Sequence, residues 1–410
     1  MLSPWVTNCS VPCEDTNEGE DFAYWFAAAV PLAVLSKSDR LMADVTGFVD
    51  YILAHQDASG WLGPPNSFTD GNGEWARWPV LAGLLHFREA TGDARILPAV
   101  LAHLRESYRR LSTDGPLGGN WAGSRWQDYA YIVEWALDLV ADDAERTREL
   151  TNMLWTVYGQ QTVDWEAWYT PSFFPQGDTG WNYSAHGVNS AQSLKSGAVV
   201  YRMSGSRSAW QSSFDRLAVL DKYHGAPTGV FQADETLSDS MPSHGTELCA
   251  VVESIFSLNV VHEIQGDASF ADRAERIAYN ALPGTWSSDM WGHQYLQQAN
   301  AVNALHQDDH IWLADGPDAT TFGLAPNYPC CTANGPQGWP RLVNRMLHAT
   351  PDGGLALSIL GPLTYIGGSV NLTVDTEYPF GDVLESTVKS SPSSPTTAPT
   401  TAPTTAPPPP

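Results

Sequence analysis

Basic side chains are scarce in this sequence: 21 Lys and Arg stand against 46 Asp and Glu, a formal net charge of −25 at pH 7. A chain this acidic repels a phosphate backbone, and no basic cluster compensates, so nucleic acid is not an expected partner. Anionic membrane surfaces are disfavoured for the same reason. Uninterrupted apolar runs of the roughly 18 to 20 residues needed for a membrane span are also missing. The stretch from Phe22 to Leu35 is broken by Pro31 and reads as a core helix. Met1 to Cys13 lacks the basic region followed by an apolar one that marks a secretory leader. Three N-x-S/T sequons, at Asn8, Asn182 and Asn371, matter only in a secretory compartment.

Aromatic residues are abundant, with 17 Trp, and many of these sit beside Gly, Pro, Asn and Asp rather than in apolar runs. Trp61, Trp75, Trp78, Trp121, Trp126, Trp181, Trp286 and Trp291 are of this kind. Flat rings among hydrogen-bonding side chains suit sugars, which have apolar C–H faces and polar rims. Packing of loops onto the core, with each indole N–H satisfied, is the competing reading for any one of them. As a set they point to a carbohydrate cleft.

From about Phe22 to Leu282 helical periodicity dominates. The expected helices are 22–36, 40–56, 75–91, 94–111, 126–140, 144–160, 188–204, 209–223, 246–265 and 268–282, with apolar residues at i, i+3, i+4 and i+7. Ser38-Asp39, Gly92-Asp93, Asp142-Asp143 and Gly266-Asp267 supply caps. Short turns join members of a pair, and long Gly/Pro/Trp-rich loops (57–74, 114–125 and 164–186) separate the pairs. A ring of helical hairpins would gather those long loops on one face, around a cleft. The fold expected for residues 21–350, after an N-terminal extension of 1–20, is therefore mainly α, a toroid of paired helices. From Gly353 the period shortens, and 355–360, 363–366 and 370–376 read as strands, the start of a β domain over 351–385. Residues 386–410 are a Ser/Thr/Pro/Ala tail, expected to be disordered and similar to an extracellular stalk or linker. The tail favours a secreted or extracellular location, with the cytoplasm left open.

Of the five cysteines, Cys9 and Cys13 lie in a polar N-terminal strip and could form a small disulfide. Cys249 stands two residues after Glu247, near the start of an expected helix. Cys330 and Cys331 are vicinal, preceded by Pro329 and followed by what reads as loop, Thr-Ala-Asn-Gly-Pro. Vicinal cysteines bridge each other poorly, whereas two thiolates of one segment can grip one ion. Three sulfurs and a carboxylate form a four-coordinate set suited to Zn²⁺, and soft sulfur argues against Mg²⁺ or Ca²⁺. The spacing is no zinc-finger pattern, since 330 − 249 = 81 residues separate Cys249 from the pair. Only the fold can unite them, and buried thiols or a disulfide remain the alternative.

Ser243-His-Gly-Thr-Glu-Leu-Cys-Ala-Val-Val-Glu253 and Tyr328-Pro-Cys-Cys-Thr-Ala-Asn-Gly335, taken together, resemble the β-L-arabinofuranosidases of glycoside hydrolase family 127 and their relatives. Trp61-Leu-Gly-Pro64, Trp75-Ala-Arg-Trp-Pro79, Glu89-Ala-Thr-Gly-Asp93, Arg125-Trp-Gln-Asp128, His186-Gly-Val-Asn189 and Tyr378-Pro-Phe380 extend the likeness over residues 21–380. The resemblance implies an (α/α)6 toroid followed by a β-sandwich, and one zinc held by Glu247, Cys249, Cys330 and Cys331. It implies a retaining glycosidase in which the zinc-bound Cys330 is the nucleophile and Glu235, in Phe231-Gln-Ala-Asp-Glu-Thr, is the acid/base, with Asp234 its competitor. His186, Trp126 and Asp128 are the expected substrate contacts. Relatives continue beyond the first strands, so the chain reads as C-terminally truncated. A sugar-binding toroid with impaired turnover and a structural zinc is the alternative this leaves open. The sequence is silent on oligomeric state and on which sugar is bound.

Overall fold

A computed structural model describes residue 5 and residues 19–63, 72–113, 121–306, 308, 311–367 and 370–390. Cys9, Cys13 and the tail from residue 391 onward lie outside the described residues. Within them, helices that are apolar on one stripe pack outside helices that are apolar on most sides. Asp39–Ala54 buries only Val45, Val49 and Ile52, whereas Leu248–Gln265 is buried almost throughout its first fourteen residues. Each inner helix pairs with the outer helix that follows it: Glu20–Ser36 with Asp39–Ala54, Arg77–Thr91 with Ile96–Thr113, and Trp126–Leu139 with Ala144–Gly159. Gly187–Ser193 continues into Ser196–Ser204, which pairs with Arg207–His224, and Leu248–Gln265 pairs with Ala268–Tyr279. The inner helices touch in sequence order, and Cys330–Asn334 with Gly338–Val343 fills the sixth inner position, packing on both Leu248–Gln265 and Glu20–Ser36 to close the ring.

Turn chemistry sets which end of the ring is open. Each short connection leaves the C-terminus of an inner helix and caps the next outer one. Ser38 accepts from Leu41 N, Asp143 from Glu145 N and Arg146 N, and Asp267 from Ser269 N, while Gly92, Gly205 and Gly266 take left-handed conformations after inner helices. The short turns therefore lie at one end. The described parts of the long connections, which run from outer helices back to inner ones, lie at the other, beside the N-termini of the inner helices.

Several boundaries differ from expectation. The segment 75–91 breaks at Ala76, between Asn72–Trp75 and Arg77–Thr91, and 188–204 breaks at Leu194 and Lys195. Thr246 and Glu247 are strand, paired antiparallel with Leu296–Gln297, not the first turn of a helix. The Cys330-Cys331 pair opens a helical turn, Cys330–Asn334, rather than a loop, with Pro329 at its cap position. Leu347–Ala349 pairs with Leu355–Leu357. Leu363–Gly367, Val370–Thr376 and Leu384–Ser390 form a three-stranded antiparallel sheet in that order. Its last strand crosses the expected boundary at residues 385 and 386. Leu248–Gln265 is long and apolar enough to cross a membrane by composition, and is the one such helix among the described residues, but it lies buried within the ring.

The break at Lys195 has a purpose in the packing. Its ammonium is fully buried, 2.7 Å from Asp128 Oδ1 and 3.1 Å from Ser257 Oγ. Removing the cation would leave the Asp128 carboxylate buried and unpaired, a loss typically of about 3–5 kcal/mol. Urea unfolding of Lys195→Ala should show a destabilisation of that size; a change below about 1 kcal/mol would mean the pair is not held as described.

Candidate active site

Four elements converge at the open end. Residues 233–235 lie against both the Gly187–Ser193 helix and the Thr246–Glu247 strand: Gly187 N donates to Glu235 O at 3.0 Å, Ala233 N to Gly245 O at 2.8 Å, and Glu247 N to Ala233 O at 3.2 Å. Gly187 permits this approach, because a Cβ there would sit 2.5 Å from the Ala233 methyl. Gly335 does the same for the cysteine pair. A Cβ on it would meet Leu248 and Trp286 at 2.8 Å, so only glycine lets the Cys330–Asn334 turn press against the start of the Leu248–Gln265 helix. One helical turn further along that helix, Glu253 accepts from Asn334 Nδ2 at 3.4 Å and Arg341 Nη1 at 2.9 Å, tying the two helices together.

The result brings Glu247, Cys249, Cys330 and Cys331 together, with one donor atom from each lying within 4.8 Å of all the others. Cys249 Sγ is 3.3 Å from Cys331 Sγ, and Glu247 Oε1 is 3.8 Å from Cys330 Sγ and 3.6 Å from Cys331 Sγ. Glu247, Cys249 and Cys331 are buried and Cys330 is half-buried. Burial pushes the Cys249 and Cys331 thiols and the Glu247 carboxyl well above their ordinary values. Hydrogen bonds from Cys249 and Cys331 shift Cys330 the other way, well below its own, which favours a thiolate there over its two neighbours. The donor set passes a test of fit for a cation: three sulfurs and a carboxylate are packed together, and Glu247 Oε2 is a buried oxygen with no hydrogen-bond partner.

Glu235 faces this cluster. Its Oε1 lies 3.3 Å from His186 Nε2, and the Tyr295 hydroxyl donates to its Oε2. Donor atoms of His186, Glu235 and Glu247 also fall within 4.8 Å of one another. Burial pushes the Glu235 carboxyl up, but the hydrogen bond and charge of His186 and the Tyr295 hydroxyl outweigh it and hold it below the usual value. Asp234 points elsewhere, bonded to His244 Nδ1 and accepting from Gly245 N at 2.9 Å, which leaves Glu235 as the carboxyl of the site.

The other expected contacts divide. His186 is 4% exposed and is fixed by accepting from Asn189 N at Nδ1 while Nε2 faces Glu235. Trp126 is not a cleft residue: it is 1% exposed and packs edge-on against Tyr158. Asp128 is engaged by Lys195 and lines a narrow axial cavity of about 50 Å³. The tryptophan set divides likewise. Trp61, Trp75 and Trp78 are core, Trp61 stacked between the guanidinium groups of Arg77 and Arg110 at 4.3 and 3.9 Å, and Trp75 under Arg125 at 4.3 Å. Trp181, 53% exposed, stands at the open end, edge-on to Trp121 and His186. Tyr295 was not expected. It sits in Gly-His-Gln-Tyr-Leu, where no motif marks it, and reaches Glu235 only because the 296–297 strand pairs with 246–247.

No family model matches the sequence, and no curated protein does. Solved structures do. A glycoside hydrolase superposes with a TM-score of 0.68 at 17% identity, covering 92% of this chain and 64% of its own. A family 127 β-L-arabinofuranosidase from Geobacillus stearothermophilus T6 gives 0.70 at 14%, with the same coverages. A further family 127 β-arabinofuranosidase gives 0.60 at 15%, covering 94% of this chain and 62% of its own. At such identities the likeness is one of fold, and it establishes the six-hairpin toroid. The chain spans less than two thirds of the length of these three proteins.

Exposure and charge together order the thiols by reactivity. In metal-free protein, iodoacetamide should label Cys330 at least about tenfold faster than Cys249 or Cys331, read by peptide mass spectrometry. Equal rates for the three would contradict the assignment of the thiolate.

Proposed function

We propose that this chain is a retaining glycoside hydrolase of the β-L-arabinofuranosidase kind, acting through Cys330 and Glu235, with Zn²⁺ held by Glu247, Cys249, Cys330 and Cys331. The observation that carries the proposal is the packing of four soft and hard donors from two distant segments beside a carboxyl bound by His186 and Tyr295. The three fold neighbours, all glycoside hydrolases by name, two of them acting on arabinofuranosides, support the substrate class. Sulfur-rich donors select zinc over magnesium or calcium, and when bound zinc would keep its thiolates deprotonated and fix their direction.

The residues then divide the work. Cys330 is the half-buried thiolate of the cluster, so its sulfur attacks the anomeric carbon. The S–C bond forms as the glycosidic C–O bond breaks, and the departing oxygen takes a proton from Glu235. Glu235 next removes a proton from water, which attacks the same carbon, breaks the C–S bond and restores the thiolate. To act first as an acid Glu235 must carry a proton. His186 and Tyr295 favour its carboxylate in the open site, while a sugar that excludes water from this partly exposed group pushes the other way. His186 and Tyr295 thus hold the carboxyl in place and favour its ionised form, against which the exclusion of water by substrate works.

Three outcomes follow from this reading. Purified protein should contain about one zinc per chain by elemental analysis, and Cys249→Ser should reduce that content; a metal-free, fully folded preparation would undo the site. Cys330→Ser should lose more than about 10⁴-fold in kcat on an arylarabinofuranoside with an unchanged circular dichroism spectrum; undiminished hydrolysis would remove the nucleophile assignment. Glu235→Gln should lose about 10²–10⁴-fold on an alkyl glycoside and much less on a dinitrophenyl glycoside, whose leaving group needs no proton. An equal loss on both substrates would move the acid elsewhere.

A further inference from the structure

The toroid has a second mouth, at the end where the inner helices finish, and it opens into a cavity of about 550 Å³. That is within the range of about 300–1,000 Å³ typical of small-ligand sites. It is distinct from the thiol cluster. Cys249 and Glu263, which line the two ends, lie on one helix 263 − 249 = 14 residues apart, about 21 Å along its axis. The axial cavity between them shares His86, Tyr131, Trp135 and Arg345 with this mouth, but at about 50 Å³ it has room for water and not for a sugar ring.

The cavity wall is built rather than incidental. Trp135, partly exposed, donates from Nε1 to Glu89 Oε1 at 2.9 Å and meets His86 edge-on at 4.8 Å, which fixes its ring plane. Arg345, only 6% exposed, donates from Nη2 to the Tyr131 hydroxyl at 2.8 Å, and that hydroxyl lies 3.3 Å from Glu263 Oε2. Arg202 grips Asp138 through one nitrogen, 2.6 Å from its Oδ1. One buried nitrogen of the wall, His348 Nε2, has no hydrogen-bond partner, and Arg345 Nε has only the longer ion pair to Glu263 Oε2 at 3.6 Å; such groups are seldom left unpaired. Two charges of the wall are paired, Arg202 with Asp138 and Arg345 with Glu263, and the further carboxylate of Glu89 accepts from Trp135, so the cavity offers fixed donors and acceptors.

A flat indole, paired carboxylates and guanidinium groups, and a buried imidazole nitrogen without a partner together fit a ligand with an apolar face and many hydroxyls. We infer that the second mouth is a non-catalytic site for a neutral mono- or disaccharide, with Trp135 as its stacking platform. The inference stands on this cavity alone and does not require that the thiol cluster be active.

Calorimetric titration of the full chain with L-arabinose, xylobiose and cellobiose tests it. At least one of these should bind saturably, and Trp135→Ala should weaken that binding at least about tenfold. Val34→Trp, which adds bulk at the rim from a 38% exposed position and leaves every polar residue of the wall unchanged, should abolish it. Trp181→Ala, at the opposite mouth, should leave it unchanged. The Val34 variant keeps the test valid if Trp135→Ala fails to fold. Binding by none of the three sugars, or binding of xylobiose or cellobiose unaffected by Val34→Trp, would overturn the inference. So would a dimer in sedimentation that Val34→Trp dissolves in the absence of sugar binding, which would make this mouth a self-association face.

Discussion

The site depends on one contact: the five-residue helix carrying Cys330 and Cys331 is pressed against the first turn of the helix carrying Cys249. Gly335 allows the approach, since any side chain there would strike Leu248 and Trp286. Glu253 locks it, accepting from Asn334 and Arg341 across the same interface. Without it Cys249 and Cys331 would not stand 3.3 Å apart, and the carboxylate of Glu247 would lose Cys330 and Cys331 as partners. The same contact closes the ring, because this short helix also packs on Glu20–Ser36. Closure of the toroid and assembly of the thiol cluster are one event.

Such an arrangement carries an electrostatic burden. Four acids are gathered in a buried space, and burial raises three of them while hydrogen bonds from Cys249 and Cys331 lower Cys330. A bound cation relieves that burden, because it favours the deprotonated forms that burial opposes. The axis of the ring is managed differently, with ion pairs supplied by the chain itself: Lys195 with Asp128, Arg341 with Glu253, Arg345 with Glu263. There the chain supplies its own cations. At the thiols and Glu247, by contrast, no side-chain cation is among the groups that form the cluster, and the donor set could hold an external one.

Much of this was legible in the sequence because it rests on local rules. Ser38, Gly92, Asp143 and Gly266 cap or terminate helices wherever they occur, so the hairpin rhythm, and with it the end that carries the long loops, could be read directly. The four-donor set was legible as chemistry, although its union over 81 residues came through resemblance and the fold rather than spacing. Other features depend on tertiary context. Tyr295 reaches Glu235 through a strand pairing that no local pattern announces. Trp61 and Trp181 look alike in their Gly-flanked settings, yet two guanidinium groups sequester the first and leave the second at the open end. Leu384–Ser390 has little apolar character, with Leu384 and Val388 both exposed, and is held as a strand by its ladder to Val370–Thr376.

Zinc K-edge X-ray absorption on the purified protein tests the central claim most directly, because it counts ligands without needing turnover. The account predicts a first shell of three sulfurs at about 2.3 Å and one oxygen at about 2.0–2.2 Å. A shell of nitrogen and oxygen alone would mean that these thiols never meet a metal, and would contradict it.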